Sequence, residues 1–151
     1  MTSIKIGVGI DNLKFGMDRD AIKALLGEPT EKELYSYSEE DEDLTEVWHY
    51  DDHEFSLSFD EADDWKLVMI AGSSEEQELE GEEIVGLTFD EVITVLNKIG
   101  YSDFEEDSLE ETDKVLKFDS KSLNIWFDGG IATEIQWGPL WSDEDTPIFP
   151  A

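Results

Sequence analysis

His49 and His53 stand four residues apart, with Asp51, Asp52 and Glu54 beside them. Imidazole and carboxylate together are the donor set of a divalent-metal site. The spacing argues against a dedicated one. On a strand, residues four apart share a face but lie too far apart to chelate one ion without a turn between them, and His49 falls on the solvent side of Trp48 and Tyr50. Asp60-Glu61-Ala62-Asp63-Asp64 has the acids of a calcium loop, but Trp65 takes the place of its Gly and Ala71 the place of its bidentate Glu. Gly7-x-Gly9 is followed by Asn12 where a third Gly would open a phosphate-binding turn. No Ser, His and acid grouping sits in a nucleophile-elbow context. The sequence therefore assigns no catalytic residue, no metal ligand and no cofactor, and an enzyme is not expected.

A binding surface is the chemistry that the residue types do support. Alternation along the predicted strands puts His49, Ser56, Ser58, Val68 and Ile70 of the first half away from the helices. It does the same for Lys117, Asn124, Trp126, Glu134 and Gln136 of the second half. Of these, His49, Ser56, Ser58, Val68, Ile70, Asn124, Trp126 and Gln136 form the candidate partner-binding set. Trp126 occupies the slot held by Ser58 in the first half. An aromatic amid small polar residues is an anchor pattern of protein interfaces. The alternative is a covered Trp126, with Trp141 or Phe149 of the C-terminal tail folded over it.

The elements that must carry this face recur. Trp48-His49-Tyr50-Asp51, Phe55 to Asp60, Leu67 and Met69 match Leu116-Lys117-Phe118-Asp119, Leu123 to Asp128, Ile135 and Trp137, each 68 positions on. Gly16-Met17-Asp18 matches Gly86-Leu87-Thr88 at 70 positions. The reading is one domain over 1–151, with repeat 1 at 11–72, a linker at 73–81, repeat 2 at 82–138 and an irregular strap at 139–151. Asp18 is placed to cap a helix whose apolar stripe is Ile22, Leu25 and Leu26, ended by Gly27-Glu28-Pro29. Thr88 with Glu91 reads as a capping box ahead of Val92, Val95, Leu96 and Ile99, with Gly100 as terminator. Residues 4–10 read as a lead-in strand or arm. Glu39 to Asp43, and Ser108 to Asp113, read as acidic turns before the strands, and a fourth strand follows if Glu31 to Tyr37 pairs. The expected fold class is α+β: two tandem helix-plus-antiparallel-meander units, with the helices on one face of the sheet and the other face solvated.

Composition limits the partners. Forty Asp and Glu against ten Lys and Arg give a formal net charge of −30, which repels nucleic acid and anionic membranes and attracts basic proteins. Five Trp, eight Phe and four Tyr are too many large side chains for a disordered acidic tail. There is no Cys, which excludes disulfides and thiolate metal sites. No window approaches a membrane span, and Met1 to Ile6 shows no secretory signal, so cytoplasmic residence is expected.

Gly16-Met17-Asp18-Arg19-Asp20-Ala21-Ile22-Lys23-Ala24-Leu25-Leu26-Gly27-Glu28-Pro29, followed by Trp48-x-Tyr50, resembles the signature shared by small outer-membrane-assembly lipoproteins and proteins of the β-lactamase-inhibitory-protein fold. The resemblance covers the first half. The second half has Asn97-Lys98-Ile99-Gly100-Tyr101 where Leu-Gly-x-Pro would fall. It implies a tandem fold that presents a sheet surface to a partner protein. The function expected is thus an acidic protein-binding module, an inhibitor or immunity-like antitoxin that occludes a basic partner such as a toxin. The alternatives are a non-inhibitory assembly module and a cation-binding module. Oligomeric state is not legible.

Overall fold

Local signals fix the two helices, and hydrogen bonds then bolt them to the strands. A computed structural model of the chain describes residues 2–36, 44–108, 113–143 and 146–150. The chain runs β1 (Ser3–Lys5), β2 (Gly9–Ile10), β3 (Leu13–Lys14), α1 (Arg19–Leu26), β4 (Glu31–Tyr35), β5 (Thr45–Tyr50), β6 (Phe55–Asp60), β7 (Lys66–Gly72), β8 (Glu78–Leu79) and β9 (Glu82–Glu83). It continues through α2 (Phe89–Ile99), β10 (Glu105–Ser108), β11 (Lys114–Phe118), β12 (Leu123–Asp128), β13 (Ile131–Trp137), β14 (Leu140–Trp141) and β15 (Pro147–Ile148). The Asp18 carboxylate accepts the Ala21 N–H at 2.8 Å to start α1. Thr88 and Glu91 exchange side-chain to backbone bonds of 3.2 and 3.0 Å to start α2. Satisfying these otherwise unpaired donors is worth roughly 1 kcal/mol per cap. Just before each cap, the same pair of bonds ties the chain to a strand. Gly16 and Met17 bond to Leu67, and Gly86 and Leu87 bond to Ala132.

The expectation of two tandem helix-plus-meander units is overturned. The protein is predominantly β, and strands from both halves form one continuous antiparallel sheet of eight, ordered β10-β11-β12-β13-β7-β6-β5-β4. Its seam joins β13 to β7 through Ile135↔Gly72, Gln136↔Ala71 and Trp137↔Ile70. Pairing the last strand of each meander removes two open edges that would otherwise expose rows of backbone donors and acceptors. A second sheet of five, ordered β3-β2-β1-β8-β9, combines the supposed lead-in arm with the supposed linker, since Ser3-Ile4 pairs in parallel with Glu78-Leu79. Residues 73–81 are therefore structural: Leu79 and Gln77 are fully buried. The helices and the small sheet cover one face of the large sheet, and Ile4, Ile10, Ile22, Leu79, Ile84, Val92 and Leu96 share one core with Trp48, Leu57, Ile125 and Trp137. The opposite face is not simply solvated, because Thr45, Val47, Val68 and Val115 are buried on it. Glu39 to Asp43 lies outside the described residues, as does Tyr37; of Ser108 to Asp113 the two end residues are described.

The correspondence between halves also changes along the chain. Single 3-10 turns at Asp51–His53 and Asp119–Lys121, each closed by a left-handed residue (Glu54, φ 55°; Ser122, φ 49°), keep the interval of 68. The next hairpins differ in length. Asp60 is followed by a 3-10 turn over Glu61–Asp63 and two left-handed residues, Asp64 and Trp65, whereas Asp128 is followed only by Gly129-Gly130. Phe59 consequently pairs with Leu67 and Phe127 with Ala132, so the final strands correspond at an interval of 65, not 68. Each final strand carries one extra residue at a bulge: Val68 between the partners of Ser58 and Phe59, and Thr133 between those of Trp126 and Phe127.

Candidate binding face

The core side of the large sheet takes every residue that pairs with Trp48, Leu57 or Ile125, which leaves the alternate positions on the outer face. Cross-strand rows there run Glu31, His49, Ser56, Ala71 and Gln136, then Asn124, Lys117 and Glu105. A parallel set contains Glu33, Val47, Ser58 and Met69 in one half, and Glu134, Trp126, Val115 and Asp107 in the other. Both margins are acidic. Lys117 Nζ lies 2.7 Å from Asp107, and His49 Nε2 lies 3.6 Å from Glu33.

His49, Ser56, Ser58, Asn124, Trp126 and Gln136 are on the outer face, as their alternation predicts. Ile70 is not. It is fully buried in the core opposite Leu57, and Val68, also buried, is the bulge residue. The extra residue reverses the phase of β7, so Met69, 41 % exposed, and Ala71 face outward instead. Trp126 is half-buried between Val115 and Glu134, and its indole N–H is shielded from solvent with no acceptor among the described residues. The described tail goes elsewhere: a side chain at Gly7 would strike Leu140, and one at Gly16 would strike Phe149. Trp141 is 42 % exposed and flanks a cavity that includes Asn124 and Gln136. Length of turn and presence of a bulge are what alternation alone does not register, and they conceal Met69; Trp141 stands in a segment with no periodicity.

Two cavities open at opposite ends of the seam, and their linings correspond through the intervals of 68 and 65. One, about 320 Å³, uses Asp119, Ser122, Asn124, Gln136, Gly138 and Met69. The other, about 290 Å³, uses Asp51, Glu54, Ser56, Ala71, Ser73 and Glu134 in the corresponding places. The first adds Asp60, Val68, Trp137 and Trp141. In the second, partial burial pushes the Glu134 carboxyl above its ordinary range, against the pull of Gln136, whose Nε2–H donates to it at 3.0 Å.

His49 Nδ1 lies 2.7 Å from Ser56 Oγ, so Ser56, His49 and Glu33 form a line of triad residue types. Their setting differs from a hydrolase site. Ser56 sits within a strand paired on both sides, which commits the neighbouring backbone N–H groups to the ladder where an oxyanion would need them. Among the described residues, no group of three His, Asp or Glu is placed to hold a metal ion. A larger cavity, about 570 Å³, lies on the helix side between α2 and the small sheet, and two of its four acids have structural duties: Glu91 completes the cap of α2 and Glu82 binds Lys98. Among the described residues, no helix is long and apolar enough to cross a membrane.

No family model matches the chain, and no curated protein matches it. Among solved structures it is similar to an extracellular protein containing a SCP domain from Bacillus anthracis str. Ames, with a TM-score of 0.52 and 15 % sequence identity. The match covers 92 % of this chain and 50 % of that one, so the chain spans about half the length of that protein. At this identity the likeness concerns the fold alone.

Proposed function

We propose that this chain is a binding protein that sets the outer face of its eight-stranded sheet against a basic partner protein and occludes it, in the manner of an inhibitor or an immunity-like antitoxin. The observation that carries the reading is Trp126: a large aromatic on an open sheet face, its indole N–H lacking an acceptor among the described residues, between margins drawn by Glu31 and Glu33 on one side and Glu105 and Asp107 on the other. The exposed part of the indole ring would pack against the partner, and basic residues would meet the margins. The acids accelerate encounter and set its salt dependence, while the desolvated aromatic governs how long the complex lasts. The partner mode is that of the inhibitor-like proteins which Gly16 to Pro29 resembles, a sheet set against a protein surface.

The test uses a partner captured from the native host at low salt, then purified and titrated calorimetrically. Trp126→Ala is expected to weaken binding by about 2 kcal/mol or more. An unchanged dissociation constant removes Trp126 as anchor. Hydrogen exchange on the complex tests the face itself: protection on β5, β6 and β12 supports the proposal, and protection confined to α1, α2 and the small sheet contradicts it.

A further inference from the structure

The cavity beside Trp141 has a composition that the reading of the outer face leaves unexplained. Met69 and Trp141 are large apolar side chains held open to solvent in its lining, which also contains Asp60 and Asp119. Among the described residues, no Lys, Arg or His lines it. Lys117, the nearby cation, is already held by Asp107 at 2.7 Å. The Gln136 amide nitrogen is committed to Glu134, which turns its carbonyl oxygen away as an acceptor, and Asn124 is its cross-strand neighbour. At about 320 Å³ the space lies at the small end of ligand sites, roughly 300–1,000 Å³, and suits one long side chain.

We propose that this cavity receives an arginine side chain of the basic partner, its stem against Met69, its guanidinium stacked on Trp141 and bonded to Asp60, Asp119, Asn124 and Gln136. The proposal rests on the reading of the outer face as a partner surface and names the group that face selects. Arginine fits better than lysine because a planar guanidinium stacks on an indole face and offers five donors in a fixed fork, whereas an ammonium offers a compact, strongly hydrated charge. The cavity at the other seam end makes the contrast: it is acidic too, but has Glu134 in the place of Met69 and, among the described residues, no aromatic from the tail. It attracts cations without discriminating between them.

The experiment is an amide-correlated NMR titration of the whole chain at low salt with blocked Gly-Arg-Gly, and with the same peptide carrying lysine or neutral citrulline. The expected result is movement of the Asn124 and Gln136 side-chain amides and the Trp141 indole, tighter binding of arginine than lysine, and no binding of citrulline. Trp141→Ala should weaken the arginine peptide on the order of fivefold or more. Asn124→Ser, which copies Ser56 of the other cavity, gives a second variant that leaves the aromatic wall intact and should also weaken it. Equal affinity for lysine overturns the arginine assignment. Shifts around Trp126 that ignore both cavity variants overturn the cavity and spare the face; shifts confined to Glu78, Glu82 and Glu83 on the helix side overturn both.

Discussion

The two ends of the seam share a backbone and differ in almost everything placed on it. At one end Trp137 fills the core and donates its indole N–H to the Gly9 carbonyl at 2.9 Å, while Met69 and Trp141 wall the outer cavity. At the other end the position corresponding to Trp137 is Gly72, and the space is taken by Gln77 from the following segment. Gln77 is fully buried, and neither amide atom has a partner among the described residues. Its outer cavity holds Glu134, a carboxylate that burial makes reluctant to ionise. One end is packed with carbon and answered by a backbone acceptor; the other buries polar groups at a cost. Equivalent strands thus become unequal ends, one suited to selective contact and the other to charge alone.

Trp137→Ala is the most direct way to break the packed end. Emptying so large a core site should cost about 3–5 kcal/mol, read from the denaturant midpoint, and a loss below 1 kcal/mol would show that the two ends are packed alike. Gly72→Ala attacks the other end, where a Cβ would stand 2.0 Å from Gln77 Oε1. It should cost on the order of 1–3 kcal/mol, and Gly72→Ala combined with Gln77→Ala should recover most of that, since the two side chains compete for one space. Strict additivity of the two substitutions would contradict the packing described.

The smallest effect concerns Glu134. Its folded-state pKa is raised above the ordinary 4.5 by burial, so the native state binds the proton more tightly than the unfolded one, and stability is lost as pH rises through the folded value. Glu134→Gln removes that loss. Its melting temperature should exceed the wild type's at pH 7, and the difference should vanish as pH falls to about 4. A difference independent of pH would mean that the carboxylate is not strained.

Much of this was legible in residue order, and the exceptions share a cause. Asp18, Thr88 and Glu91 announce the helix starts because a cap is a local bond between near neighbours. Phe55-Ser56-Leu57-Ser58-Phe59 and its later counterpart announce half-buried strands through alternation. The small sheet was hidden because β2, β3, β8 and β9 are two residues long, too short to show a period, and the β1 to β8 pairing depends on a contact between distant segments. The edge strand Glu31–Tyr35 was legible only as a condition, a fourth strand if Glu31 to Tyr37 pairs, because an edge can be polar on both faces. In the candidate face, Trp126 and Asn124 were legible through comparison of the halves. Met69 was not, since one bulge residue reverses every position after it, and neither was the neighbourhood of Glu134 and Gln136, which exists only where the seam closes.

The parallel pairing of Ser3-Ile4 with Glu78-Leu79 has a consequence for the order in which the molecule assembles. Hairpins β5-β6-β7 and β11-β12-β13 join segments close in the chain and close in microseconds, at little entropic expense. The small sheet must wait for a loop of more than seventy residues to close, and the bond from Trp137 to Gly9 for one of 128. Until then the core-facing sides of both meanders stand bare. A formal net charge of −30 opposes contact between chains whose core-facing sides are still open.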